Sequence, residues 1–266
     1  MVCRASATLF LAMALALASA AVRAAGCDQI ARSFAARLNI SAGAMDEGGA
    51  LVLLSEAAKE GLRACPDLEP QSYIAARIAE LGYAAGARRT AAQTVGALAL
   101  AQDAARRHPD SVRIATVLAR LEGSLDAARR AMALDARYAP ARVQLAWALA
   151  ATGARAEALV LLSQGRDTER PASEWNARAR IRLAAGEAKA AKVDAKAARA
   201  AKTREPELTP GTDIFRDTQE TLGLSLMALG RPDDAKEHFE LAAAVGSSKA
   251  KAALEEMNAR RDNKAK

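Results

Sequence analysis

A spacing that occurs twice restricts this chain more than any other feature. Leu145-Ala146, Leu149, Gly153, Ala158 and Leu162 recur with identical gaps as Leu222-Gly223, Leu226, Gly230, Ala235 and Phe239. Apolar residues three and four apart share one face of a helix. A glycine after such a stripe suits the left-handed turn that ends a helix. Each copy therefore reads as helix, tight turn, helix. A weaker copy runs Trp175, Ala179, Gly186, Ala191, Ala195 and Ala198, and a partial one Ile78-Ala79, Gly82, Gly86, Ala91, Val95 and Leu98. Gly153 and Gly186 are 186 − 153 = 33 residues apart, whereas Gly186 and Gly230 are 230 − 186 = 44 apart. The excess falls in the Pro-containing "KTREPELTPGTD" (202–213). Between the partial copy and Leu145, "RRHPDSVRIATVLARLEGSLDAARRAMALDARYAPAR" has the same vocabulary with slipped spacing, and its "LDARYAPAR" reads as a junction between repeats.

Composition agrees with helices throughout. Apolar residues make up 51% of the 266, aromatics only 3%, and much of the apolar share is alanine. Alanine is the best helix former, and the β-branched and aromatic strand formers are scarce. The expectation is an all-α protein with closely approaching helices.

The repeated grammar resembles the tetratricopeptide repeat (TPR) family over roughly residues 70–246. The copy ending at Gly246 matches it well, and the copy starting at Pro140 moderately. The resemblance implies an α-α superhelix of antiparallel helix pairs, because one pair cannot bury its apolar face alone. Gly223, Ala146 and Ala179 would let the first helix of a pair approach the second, and Phe239 or Leu162 would fill the gap to the next pair. It also implies a protein- or peptide-binding groove lined by the first helices. Matching repeat positions places Val143, Gln144 and Trp147, then Asn176 and Arg180, then Glu220 and Leu224 in that groove. Family members that clamp a C-terminal carboxylate use several lysines and asparagines there, a set this chain lacks. Trp147 and Arg180 are the strongest contacts by residue type.

Residues 1–24 read as a signal peptide. Arg4 precedes the apolar run "ASATLFLAMALALASAAV", and Ala18-Ser19-Ala20 and Val22-Arg23-Ala24 offer small-residue cleavage sites. Residues 25–69 read as a helical hairpin whose helices, near 27–38 and 50–64, carry Cys27 and Cys65 at adjacent ends. Export and that geometry point to a Cys27–Cys65 disulfide. Ala24-Ala25-Gly26-Cys27 also resembles a bacterial lipoprotein box, without its usual aliphatic residue three before the cysteine and with Arg23 beside it. The two resulting expectations are an exported, periplasmic adaptor and a lipid-anchored outer-membrane assembly factor. Residues 247–266 read as a capping helix, with Ala250, Ala253, Leu254 and Met257 on one face, followed by a basic disordered tail from Asn258.

Formal charge is 38 − 31 = +7, or +5 without Arg4 and Arg23. Basic and acidic residues are mixed along the helices, which reads as solvated faces and not as a nucleic-acid stripe. The chain carries no CxxC, HExxH, GxSxG or GxxxxGK pattern, and its histidines are His108 and His238. His108-Pro109-Asp110 reads as a turn between helix pairs. Asp233 and Asp234 follow Pro232 in a first helical turn, where negative charge suits the helix dipole. No cofactor, metal or enzymatic activity is expected. For export, intact-mass measurement of the mature protein should show cleavage after Ala20 or Ala24. A retained Met1, or a diacylglycerol-sized increment on Cys27, overturns that expectation.

Overall fold

The computed structural model describes Cys27, Gln29, Cys65 and residues 69–85, 91–201 and 211–264. The predicted signal peptide and, apart from Cys27, Gln29, Cys65 and Glu69, the predicted hairpin lie outside the described residues. So does most of the 202–213 insertion. The described elements are all helical, and the chain divides into two compact units that meet between Pro109 and Asp110. That boundary falls inside the span drawn from the repeat pattern.

The first unit contains α1 (Glu69–Ala85) and α2 (Ala91–Arg107), which pack on each other. Tyr73, Ile74, Ala76, Ala97, Ala101 and Ala104 are buried, so small residues dominate this contact. His108 closes α2 through its N–H to the Ala104 carbonyl, and Ser72 Oγ lies 3.1 Å from His108 Nε2. Pro109 and Asp110 form the turn expected of the His-Pro-Asp stretch. Cys27 and Cys65 are both buried and joined by a disulfide, with Cα atoms 5.9 Å apart.

The second unit is a stack of helix pairs: α3 (Val112–Glu122) with α4 (Leu125–Leu134), α5 (Ala139–Ala151) with α6 (Arg155–Leu162), α7 (Ala172–Ala184) with α8 (Ala188–Ala200), and α9 (Gly211–Ala228) with α10 (Pro232–Ala244). A last helix, α11 (Ser248–Lys264), covers α10. From α5 onward each first helix packs on the first helix before it, and each second helix packs on the helix that follows it. The first helices end where the spacing requires. Gly123, Gly153, Gly186 and Gly230 have φ of 65°, 92°, 83° and 70°, a region costly to residues with a Cβ.

The slipped segment proves to be a complete pair. Gly123 precedes Gly153 by 153 − 123 = 30 residues, so α3 and α4 form a shortened copy. Ser111 and Ser124 cap them by accepting from the backbone N–H groups of Ile114 and Ala127. The expected junction at "LDARYAPAR" joins α4 to α5, with the Asp135 carboxylate accepting from the Arg137 N–H at 2.8 Å. The final helix is longer than the sequence reading allowed. It runs through Lys264, taking in most of the stretch from Asn258 where a disordered tail was expected. Ala250 is fully buried, and Ala253, Leu254 and Met257 pack against the Phe239 cluster. Ser247 starts this helix by accepting from the Ala250 N–H at 3.0 Å, and an Arg260–Glu256 pair one turn apart supports its later part.

The small residues of the spacing stand at the crossings. Ala146, Ala158, Ala179, Ala191 and Ala235 have 0% exposure, while Leu162 and Phe239 fill the remaining volume at 0% and 1%. Gly223 shows the constraint most directly, since a Cβ there would lie 2.6 Å from Phe239 Cε1. Gly223→Ala should therefore lower stability by about 1–3 kcal/mol through overpacking, outweighing the roughly 0.5–1 kcal/mol that alanine adds to a helix interior. Gly96→Ala, in α2 with open space around the new methyl, should instead raise stability by roughly 0.5–1 kcal/mol. Denaturant melts of both variants check the pair of opposite signs.

Candidate functional site

The third first helix of this unit, α7, carries the sequence ASEWNARARIRLA, whose polarity suggests exposure. Instead Glu174, Trp175, Asn176, Ala177, Arg178, Ala179 and Ile181 are all buried. The reason is position: α5, α6, α8 and α9 all pack on this helix. Its charges must then be paired, because an isolated ion buried in protein costs several kcal/mol or more. Arg178 Nε and Nη2 donate to the Asp194 carboxylate of α8 at 2.9 and 2.7 Å, and Arg182 Nη1 donates to it at 2.8 Å. Arg142 Nη2 donates to Glu174 at 3.0 Å while Nη1 bonds the Ala136 and Arg137 carbonyls, tying the α4–α5 junction to α7. The guanidinium groups of Arg170 and Arg178 both lie over the Trp175 ring, 4.7 and 4.3 Å from its centroid. Burial, and then the neighbouring Arg178, hold the Arg170 pKa below the usual arginine range. The reading of all helix charges as solvated faces is thus corrected for Arg170, Glu174, Arg178 and Asp194.

The opposite side of α7 bears the side chains nominated from the sequence. Adding the repeat intervals to Trp147 gives 147 + 33 = 180 and 180 + 44 = 224, so Trp147, Arg180 and Leu224 hold equivalent places on α5, α7 and α9. The Arg180 guanidinium carbon lies 5.2 Å from the Trp147 ring centroid, and Nη1 is 4.0 Å from the Asp217 carboxylate of α9. Arg180 and Asp217 keep 36% and 37% of their side chains exposed, and Leu224 is 40% exposed. A band of ring, guanidinium and carboxylate thus crosses three successive first helices. Burial pushes the Asp217 carboxyl above the usual aspartate range, against the opposing pull of Arg216 and then Arg180.

The other nominated residues are committed to internal contacts. Val143 is half-buried against the α5–α6–α7 core. Gln144 Nε2 donates to the Ala119 carbonyl at 3.3 Å, joining α5 to α3. Asn176 Oδ1, buried, accepts from the Thr221 hydroxyl at 2.9 Å, joining α7 to α9. Glu220, also buried, accepts from the Ser247 hydroxyl at 2.9 Å and lies 3.6 Å from Lys249. These residues set the register between neighbouring helices. The sequence reading missed Asp217, which lies two turns before Leu224 on the same face of α9, and that spacing was the available signal. It also missed Phe215, 39% exposed near the start of α9.

Among the described residues no group of His, Cys, Asp and Glu is placed to hold a metal ion, and no helix is long and apolar enough to cross a membrane. Ser72 and His108 are the nearest thing to a nucleophile and base, but Ser72 is 1% exposed.

No protein-family model matches the chain, and no curated protein matches it. Solved structures do. The thermophilic TPR protein TTC0263 of Thermus thermophilus aligns with a TM-score of 0.52 at 20% identity, over 65% of this chain and 91% of that one. The Cut9–Hcn1 hetero-tetramer of APC/C aligns with a TM-score of 0.57 at 11% identity, over 77% of this chain and 39% of that one. With the stacked pairs described above, these likenesses define the fold as an all-α, TPR-like superhelical solenoid.

The buried carboxylate of α8 gives a direct test of the α7 cluster. Asp194→Ala leaves Arg178 and Arg182 without their acceptor and should cost about 3–5 kcal/mol in urea unfolding. Arg166→Ala removes a pair with Glu169 whose side chains are 81% and 67% exposed, and should cost under about 1 kcal/mol.

Proposed function

We propose that this protein is an exported, periplasmic TPR-like adaptor that binds another envelope protein, or a peptide segment of one, on the face of its first helices. The observation that carries this reading is the Trp147–Arg180–Asp217 band, partly exposed across three first helices. A flat guanidinium held over an indole keeps its edge N–H groups directed outward at little entropic cost. Leu224 supplies apolar area beside it. Tryptophan and arginine are the residue types most enriched among binding hot spots. The face is polar and small in charge count, which suits a segment read by shape and a few hydrogen bonds.

The disulfide supports an oxidising compartment, because such bonds persist there and are rare where thiols are kept reduced. It also weighs against the lipid-anchored assembly factor. A Cys27 sulfur engaged with Cys65 has no valence left for a thioether-linked lipid. Enzymatic activity finds no support in the Ser72–His108 pair, whose serine is buried.

Crosslinking with mass spectrometry in the native envelope should identify the partner, and affinity measurements with that partner test the face. Arg180→Ala should weaken binding by about 2 kcal/mol, roughly thirtyfold, with a melting temperature nearly unchanged because the side chain is partly exposed. Trp147→Ala should weaken binding and also lower the melting temperature, since Trp147 packs against the α5–α6–α7 core. Affinity that survives both changes in folded protein rules this face out.

A further inference from the structure

The outer helix α8 carries a basic stripe that the distribution of charge along the sequence conceals. Lys189, Lys192, Lys196 and Arg199 are spaced by three and four residues, which puts them on one helix face extending about 15 Å. Lys189, Lys196 and Arg199 are exposed and Lys192 is half-exposed. The one acidic residue of the helix, Asp194, points the other way, buried and bound by Arg178 and Arg182. None of the four cations is ion-paired with a described residue. In the middle of the stripe stands Val193, 62% exposed. Val160 occupies the equivalent place on α6, 193 − 160 = 33 residues earlier, and is 65% exposed. These are the two most exposed of the large hydrophobic side chains among the described residues. On the neighbouring helix α10, whose His238 feels the charges of Lys196 and Arg199, Asp234 is paired with Arg231 and Glu240 with Lys236, which leaves Asp233 and Glu237 as its other carboxylates.

We infer that the outer face of α6 and α8 docks on an anionic lipid surface, with the basic stripe at the headgroups and Val160 and Val193 entering the interface. Charge complementarity and shape choose this occupant. A convex helix ridge cannot enclose a peptide, whereas a planar bilayer meets the length of the stripe at once. Exposed apolar side chains beside cations that pair with no described residue suit an anionic membrane interface, where buried apolar area and charge attraction add. Each basic residue near such a surface contributes about fivefold in partitioning. The binding face of the first helices remains free for a protein partner, so the two contacts are separable.

The test uses residues 25–266, the proposed mature chain, with the Cys27–Cys65 bond intact. Co-sedimentation is measured with vesicles of roughly three parts phosphatidylethanolamine to one part phosphatidylglycerol, and with phosphatidylcholine vesicles. Binding is expected only to the anionic vesicles at about 20 mM NaCl, falling steeply by about 300 mM. The combined variant Lys189→Gln, Lys192→Gln, Lys196→Gln and Arg199→Gln should weaken it by roughly a hundredfold or more. Glutamine keeps helix propensity, so far-UV circular dichroism should not change. Lys251→Gln with Lys249→Gln, on α11, should leave binding within about twofold. The inference is overturned if the wild type ignores anionic vesicles, if it binds phosphatidylcholine equally, or if the combined variant binds as the wild type does. Binding to polyglutamate without binding to vesicles also overturns it, and assigns the stripe to an acidic protein.

Discussion

Every helix pair in the second unit depends on the near absence of side chain where two helices cross. Ala146, Ala158, Ala179, Ala191 and Ala195 present only a methyl group and are fully buried, and Gly223 presents nothing to the ring of Phe239. Packing ridges into grooves at such short interaxial distance brings backbones together. It also limits how much apolar surface each pair can bury, since alanine offers little. A stack built in this way draws its stability from the number of neighbours each helix has. The two helices with four packed neighbours, α5 and α7, then carry the largest shares.

Of the two, α7 has the polar sequence, and its crowding makes that sequence an interior one. The Arg178–Asp194 bond and the Arg170 and Arg178 guanidinium groups over Trp175 occupy volume that apolar residues fill elsewhere, as Leu162 and Phe239 do in the flanking pairs. A buried ion network is weak evidence for added stability, because hydrophobic replacements often match it. What it supplies is orientation. A bidentate guanidinium–carboxylate bond tolerates little rotation or sliding. Arg142 bonded to Glu174, Gln144 to Ala119 and Asn176 to Thr221 add one polar tie at each interface between first helices. An array whose contacts are mostly methyl groups would otherwise slide with little penalty.

The sequence made the pairs legible wherever the glycine that ends the first helix stood at the full spacing from the small residues around it. Gly153, Gly186 and Gly230 were found that way. Gly123 was not, because shortening α3 and α4 moved it while the serine caps kept the local helix signals intact. Helical extent at the far end was misjudged because charge was taken for disorder, although Ala, Arg and Lys are good helix formers. For the site, repeat intervals alone aligned Trp147, Arg180 and Leu224. They could not tell an outward polar residue from an inward one. Asn176 and Glu220 sit at groove positions by interval, yet each finds a hydroxyl on a neighbouring segment and is buried. Asp217 escaped notice because its link to Arg180 runs diagonally between helices, a contact that no alignment of equivalent positions reveals.

The run Arg178-Ala179-Arg180-Ile181-Arg182 shows how closely the faces of the array depend on one another. On a helix, residues four apart share a side and the residue midway between them points away. Arg178 and Arg182 therefore both reach Asp194 on α8, while Arg180 turns toward Trp147 and Asp217. Drawing Asp194 inward strips α8 of its one acidic side chain and leaves its outer face to Lys189, Lys192, Lys196 and Arg199. One alternating segment thus fixes the pair of helices, arms the inner face with a stacked guanidinium and sets the sign of charge on the outer face. A substitution at Asp194 would act on all of these at once, through freed arginines inside and altered helix placement at both surfaces, whereas a substitution at Arg180 acts on the inner face alone.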